Sequence, residues 1–191
     1  MITIEQIKEL RNKTGISIGQ CKGALEEAGG DMEKAIVVLS KKGGDIAAKK
    51  SGRTLKSGLI ETYVHNGKVG AIVELLCETD FVAKNEDFKK LAYDIAMQIA
   101  ATNPSFLKKE DVSVEDEKKA REVFSEEVKD KPEEMKVKIL EGKLKAYFKD
   151  RILLEQDFIK NPEVSLISLI ENGIQKFGER IEIGRFARFE I

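Results

Sequence analysis

Residues 59–77 decide the fold: Leu59-Ile60-Glu61-Thr62-Tyr63-Val64, then His65-Asn66-Gly67-Lys68, then Val69-Gly70-Ala71-Ile72-Val73-Glu74-Leu75-Leu76-Cys77. Two runs rich in β-branched and aromatic residues flank an Asn-Gly pair. That pair suits a type I′ turn, whose two central positions both need positive φ, so the stretch predicts a β-hairpin. The second run is apolar on both faces, the pattern of a central strand covered on two sides.

Downstream, the pattern turns helical. Asn85 caps a helix with Phe88, Leu91, Ala92, Ile95 and Ile99 on one face, ending before Pro104. Ser113 caps a second, running to Val128 with Ala120, Val123 and Phe124. Pro132 opens a third, bearing Met135, Ile139, Leu140 and Leu144. Ser165 opens a fourth, with Leu166, Leu169, Ile170, Ile174 and Phe177, closed by Gly178. Ile181 to Ile191 reads as a last strand, with Ile181, Ile183, Ala187, Phe189 and Ile191 sharing a face. The expected class is α+β: a small antiparallel sheet of three strands, packed with helices.

Upstream lie three short helices. Thr3 with Gln6 forms a capping-box pattern ahead of Ile4, Ile7 and Leu10, and Thr14-Gly15 breaks that helix. Ser17 with Gln20 repeats the pattern ahead of Cys21, Ala24, Leu25 and Ala28, stopping at Gly29-Gly30. Asp31 caps a third helix, with Met32, Ala35, Ile36 and Leu39, ending near Gly43-Gly44. Three such helices can share a miniature core. From Lys41 to Gly58 periodicity fades, and lysine and arginine alternate with glycine and serine. The organisation expected is a three-helix module over 1–50, a basic linker over 51–57 and an α+β core over 58–191. The basic run is either a solvated linker or a patch for an acidic partner; it lacks the interleaved aromatics of a nucleic-acid face.

Composition narrows the function. The 191 residues are 41% hydrophobic and 35% charged, with a net charge of −1. That near-neutral balance gives no broad attraction for nucleic acid or anionic lipid, so neither is expected as a partner. No stretch approaches the roughly 20 apolar residues of a membrane span. Met1-Ile2-Thr3-Ile4-Glu5 also lacks the basic-then-apolar start of a secretory signal. Cys21 and Cys77 make no disulfide framework and read as reduced, buried thiols, as expected of a cytoplasmic protein.

Signals of bond chemistry are scarce. There is no phosphate-binding glycine loop, no metal-spaced Cys/His set and no nucleophile elbow; no cofactor or metal is expected. The one histidine, His65, stands beside the Asn-Gly turn without a nucleophile to serve. One segment stands out. Glu78-Thr79-Asp80-Phe81-Val82-Ala83-Lys84-Asn85 places an aromatic and a valine beside two acids at a strand-to-helix junction. Either Thr79 and Asp80 satisfy a helix start while Phe81 packs inward, or Phe81 is held out as an aromatic wedge for a protein partner.

Residues 74–85, Glu-Leu-Leu-Cys-Glu-Thr-Asp-Phe-Val-Ala-Lys-Asn, resemble a signature of the elongation factor Ts family. The opening resembles another: Leu10-Arg11, Thr14-Gly15, Cys21-Lys22, Ala24-Leu25, Glu27, Gly30-Asp31, Ala35 and Leu39. Ala48-Lys49-Lys50, Arg53, residues 153–158 and residues 185–190 also match, so the likeness spans nearly the whole chain in order. Ile18 stands where methionine is usual and Leu76 where asparagine is usual. Thr54-Leu55-Lys56-Ser57 replaces a small, acidic stretch, and the tail usual past Ile191 is missing. The resemblance is to short forms with a single core subdomain; no internal repeat is evident.

The resemblance implies a ubiquitin-associated-like three-helix module docking on a partner through Leu10, Arg11, Thr14 and Gly15. It further implies a corner of Thr79, Asp80, Phe81 and Val82 that displaces elements holding Mg²⁺ beside GDP in elongation factor Tu. The implied protein is no enzyme. It is a guanine nucleotide exchange factor that engages elongation factor Tu both GDP-bound and nucleotide-free, and it pairs as a homodimer. The competing reading is an adaptor whose helical module holds ubiquitin-like or nascent-chain partners.

Overall fold

The computed structural model describes residues 2–129 and 132–191. Its helices are α1 (Ile4–Thr14), α2 (Ile18–Glu27), α3 (Met32–Lys50), α4 (Asp80–Ala83), α5 (Glu86–Thr102), α6 (Val114–Glu127), α7 (Glu133–Arg151) and α8 (Leu166–Phe177). Its strands are β1 (Ser57–His65), β2 (Val69–Cys77), β3 (Asp157–Phe158), β4 (Asn161–Ser165) and β5 (Glu182–Glu190). Mixed α+β architecture is what the sequence pattern predicts.

The hairpin forms where expected. Asn66 and Gly67 both have positive φ, 50° and 69°, and Lys68 N–H donates to the His65 carbonyl at 3.0 Å. The three-stranded sheet runs β1-β2-β5, with both pairings antiparallel and β2 central. Ala71, Val73, Leu75 and Cys77 face inward onto α5, joining Phe88, Leu91, Ile95 and Ile99 in the main core. The opposite face is left open by the described residues: Ile72 is 38% exposed, and Ile60, Val64 and Phe189 are more so. The expectation of cover on two sides therefore holds for one face of β2.

Strand β5 corrects the expected alternation. Glu74 pairs with Arg185 but Leu75 pairs with Ile183, so Gly184 is an extra residue in a bulge. An inserted residue switches every later side chain to the other face. Ile181 and Ile183 are buried, whereas Phe189 and Ile191 are exposed and Ala187 faces the open side. Arg188 instead turns inward and donates from Nε to the Ala100 carbonyl at 3.0 Å, beside the end of α5.

The N-terminal helices enclose their own core of Leu10, Ile16, Cys21, Ala24, Leu25, Ala35 and Leu39. Thr3 and Gln6 exchange both capping-box bonds, at 2.9 and 3.2 Å. Ser17 completes only half: its hydroxyl accepts from Gln20 N–H at 3.4 Å, while Gln20 Oε1 is buried without a partner among the described residues. The third helix does not end at Gly43-Gly44. It continues to Lys50, because Gly43 is buried against Glu171 and Gln175 of α8 and Ile46 and Ala47 pack on the main core. Tertiary packing overrides the roughly 1 kcal/mol propensity deficit of each glycine. Only residues 51–56 remain outside helix and strand between α3 and β1.

The sequence pattern does not predict the short β3–β4 ladder. It follows Leu153, which is buried, and is tied to α5 by two side-chain amides. Gln98 Nε2 donates to Gln156 Oε1 at 2.9 Å and to the Asp157 carbonyl at 3.2 Å, and Gln98 Oε1 accepts from Ile159 N–H at 2.9 Å. Satisfied buried amides of this kind fix a unique register.

Candidate functional site: the strand-to-helix corner after β2

β2 ends at Cys77, and the chain turns at once into the single-turn helix α4. Thr79 is its N-cap, extended at φ −129° and ψ 155°, and its hydroxyl accepts from Val82 N–H at 3.4 Å. Successive side chains on a helix point about 100° apart, so one turn can divide its residues between core and solvent. Val82 and Ala83 are buried with Phe88 and Leu91. Phe81 points out and is 81% exposed. The inward-packing alternative for Phe81 is thereby excluded.

Asp80 lies on the same outward side. Its carboxylate accepts from Lys84 Nζ at 2.6 Å, and that bond holds its pKa below the usual aspartate range. Both side chains are exposed, so the pair is easily exchanged for another cation or donor.

Beneath the corner lies a polar frame. Glu78 accepts from Arg53 Nη1 at 3.3 Å and from Arg180 N–H at 2.6 Å; the Arg180 bond is the larger cause of its lowered pKa. Glu179 accepts from Glu78 N–H and Thr79 N–H, both at 3.0 Å, and from the Thr79 hydroxyl at 2.6 Å. Arg180 donates further to the Arg53 carbonyl and to Glu182. Cys77 Sγ donates to the Thr79 carbonyl at 3.1 Å, and burial, reinforced by the Glu179 charge, pushes the thiol pKa up. Sequence reasoning singled out Thr79 to Val82 but missed Glu179 and Arg180. They lie a hundred residues on, in a connection whose composition carries no signal.

The other predicted site residues lie at the α1–α2 turn. Leu10 is fully buried in the module core, Arg11 and Gly15 are exposed, and Thr14 is half-buried. Thr14 Oγ1 donates to the Leu10 carbonyl at 2.8 Å. Gly15 ends α1 in the left-handed region at φ 70°, and its N–H donates to the Arg11 carbonyl at 2.7 Å. The Lys176 side chain of α8 runs along Gly15 and reaches Asp87 in the first turn of α5 at 2.8 Å, holding the Asp87 pKa down. Lys176 thus links the turn to the first turn of α5, the helix that follows the corner.

The His65 ring nitrogens meet the Tyr63 hydroxyl at 3.0 Å and the Asn66 side-chain amide at 3.3 Å. Among the described residues no three His, Cys, Asp or Glu side chains converge as for a metal ion, and no helix is long and apolar enough to cross a membrane. A cleft of about 390 Å³ opens between α6 and α7, away from the corner. Phe106, Phe124 and Tyr147 line it, and Arg151 stacks on Tyr147 at 4.2 Å.

Fold and site together define a class: α+β proteins in which three N-terminal helices pack, through the last of them, on a helix of a core built round a three-stranded sheet, and an acidic-aromatic corner projects from the central strand's end. Residues 18–191 match the family model described as Elongation factor TS. The chain is similar to elongation factor Ts of Thermodesulfovibrio yellowstonii, at 48% identity over 191 residues, covering 100% of this chain and 96% of the relative. It is 49% identical to elongation factor Ts of Thermotoga petrophila over 191 residues, with the same coverage of 100% and 96%. Against elongation factor Ts of Carboxydothermus hydrogenoformans it is 50% identical over 194 residues, covering 100% of this chain and 89% of the relative. The chain belongs to the elongation factor Ts family, and is a translation elongation factor.

Proposed function

We propose that the protein is a guanine nucleotide exchange factor for the GTPase elongation factor Tu, with Asp80 and Phe81 acting on that partner as a wedge. The exposure of Phe81 carries the reading: a phenylalanine 81% open to water, on a turn whose next two residues are buried. A large aromatic held out on a fixed corner matches the anchor that dominates binding energy at protein interfaces. Phe81 enters an apolar crevice of the GTPase. Asp80 exchanges its exposed Lys84 partner for polar groups around the Mg²⁺ site, while Thr79 and Val82 hold the corner in shape.

Mg²⁺ bridges phosphate oxygens and offsets their charge, so displacing its ligands weakens the hold on GDP. Release then follows from linkage: a factor binding nucleotide-free elongation factor Tu more tightly than the GDP form must weaken GDP binding by the same factor. No covalent step is involved, so the protein acts as a binding factor rather than as an enzyme.

The module of residues 1–50 supplies a second contact through Arg11, Thr14 and Gly15, with Leu10 holding the turn from beneath. Residues 51–56 lead from its last helix into β1 of the exchange core. The protein works in the cytoplasm, consistent with two buried free thiols.

A symmetric homodimer completes the proposal. The open sheet face carries Ile60, Val64, Ile72 and Phe189 around a Glu74–Arg185 pair at 3.5 Å. An apolar patch with one charge of each sign is self-complementary across a two-fold axis. Release of labelled GDP from elongation factor Tu, with and without this protein, tests the exchange reading. Unaccelerated release would leave the adaptor reading standing.

A further inference from the structure

Beyond Cys77 the chain leaves the sheet, so the N–H groups of Glu78 and Thr79 have no strand carbonyl to meet. One side chain takes both. Glu179, between the end of α8 and β5, accepts these two N–H groups on Oε2 at 3.0 Å each and the Thr79 hydroxyl on Oε1 at 2.6 Å. The bond fixes the hydroxyl's proton toward Glu179, which leaves the Thr79 oxygen's lone pairs for Val82 N–H, at 3.4 Å. A return bond, from Arg180 N–H to Glu78 Oε1 at 2.6 Å, closes the two segments into a reciprocal clasp.

We propose that Glu179 is a positioning residue of the exchange site: its carboxylate sets the α4 turn and thereby the direction in which Phe81 projects. Charge-assisted bonds of this type are stronger than neutral ones, and three from one group determine orientation as well as energy. The α4 turn is too short to hold itself, since an isolated turn fixes many torsions for one hydrogen bond. Without the carboxylate, two backbone N–H groups turn to water, the Thr79 hydroxyl loses its fixed direction, and Phe81 samples many orientations. The inference rests on the proposal that Phe81 faces the partner.

The chain has no tryptophan, so Phe81→Trp places a unique indole reporter on the corner. Time-resolved fluorescence anisotropy of that protein is compared with the same reporter carrying Glu179→Ala and Glu179→Gln; Gln keeps the shape but converts one acceptor oxygen into a donor. Local motion of the indole increases in both, more in the alanine variant, while thermal melting remains cooperative. In the Phe81 background, Glu179→Ala slows GDP release from elongation factor Tu at saturating factor by about tenfold, the scale of lost charged hydrogen bonds, and Glu179→Gln falls between. Adding Phe81→Ala to Glu179→Ala slows release little further than Phe81→Ala alone, because both act through one side chain. Unchanged indole motion in folded Glu179→Gln overturns the inference. So does undiminished exchange by the Glu179 variants when Phe81→Ala alone is slow. If Phe81→Ala itself exchanges normally, the wedge proposal fails instead, and the role assigned to Glu179 falls with it.

Discussion

Phe81 and Val82 are chain neighbours with opposite surroundings: Phe81 is 81% exposed and Val82 5%. Removing either side chain therefore has a different consequence. Val82→Ala deletes buried methyl groups and leaves a small void, a loss of about 2 kcal/mol. For a chain of this size that lowers the melting temperature by roughly 4–8 °C. Phe81→Ala removes a solvated ring and stays within about 0.5 kcal/mol of the parent. Thermal denaturation followed by circular dichroism checks both. A large loss for Phe81→Ala would make it a core residue.

A second prediction concerns pH. Glu171 lies against Gly43 and Gly44 where α3 crosses α8, and burial pushes its carboxyl above the usual glutamate range. The folded state holds that proton to higher pH than the unfolded chain. Stability is therefore lost as pH rises from about 4.3, the unfolded value, through the raised folded value. Glu171→Gln removes the titration. It melts higher than the parent at pH 7, and the difference closes near pH 4. Equal melting temperatures at pH 7 would contradict the assignment.

The β1–β2 hairpin and the long helices between Leu59 and Gly178 were largely legible, because local chemistry marks their ends: Asn66-Gly67 for the hairpin, Asn85 for α5, Ser165 and Gly178 for α8; the short β3–β4 ladder carried no such mark. What failed was decided by distant partners. Gly43-Gly44 reads as a stop, yet α8 packing carries α3 through it to Lys50. The Gly184 bulge depends on register with β2, which no single strand reveals, and it put Ala187 and Phe189 on the face opposite to the one expected. At the corner, spacing alone left Phe81 either inward or outward. The direction depends on Val82 and Ala83 filling the core. Glu179 gave no signal, since one surface glutamate among many looks like the rest.

Assembly gives the third prediction. Ile60 is exposed on the open sheet face, so Ile60→Lys leaves the fold intact while placing a charge in the proposed dimer interface. Light scattering at micromolar concentration gives a dimer for the parent protein and a monomer for the variant. A parent protein found only at its chain mass of 21.4 kDa contradicts the dimer.

A fourth follows from α3 spanning the division between module and core. Its first half closes the module through Ala35 and Leu39, and its second half packs on the main core through Ile46 and Ala47. Deleting residues 1–40 removes the module's own core but spares that packing. The truncated protein melts cooperatively and binds elongation factor Tu more weakly than the full chain, as titration calorimetry would read. Undiminished binding removes the module from the interface.

The most direct test of the wedge is the rate of labelled GDP release from elongation factor Tu, driven by the parent protein and by Phe81→Ala. Burying a phenylalanine contributes roughly 1.5–3 kcal/mol, so its loss slows stimulated release by about one to two orders of magnitude. Asp80→Ala slows it in the same direction and less. That slowing is expected from a variant that melts with the parent. A Phe81→Ala protein that is fully folded and stimulates release at the parent rate would contradict it.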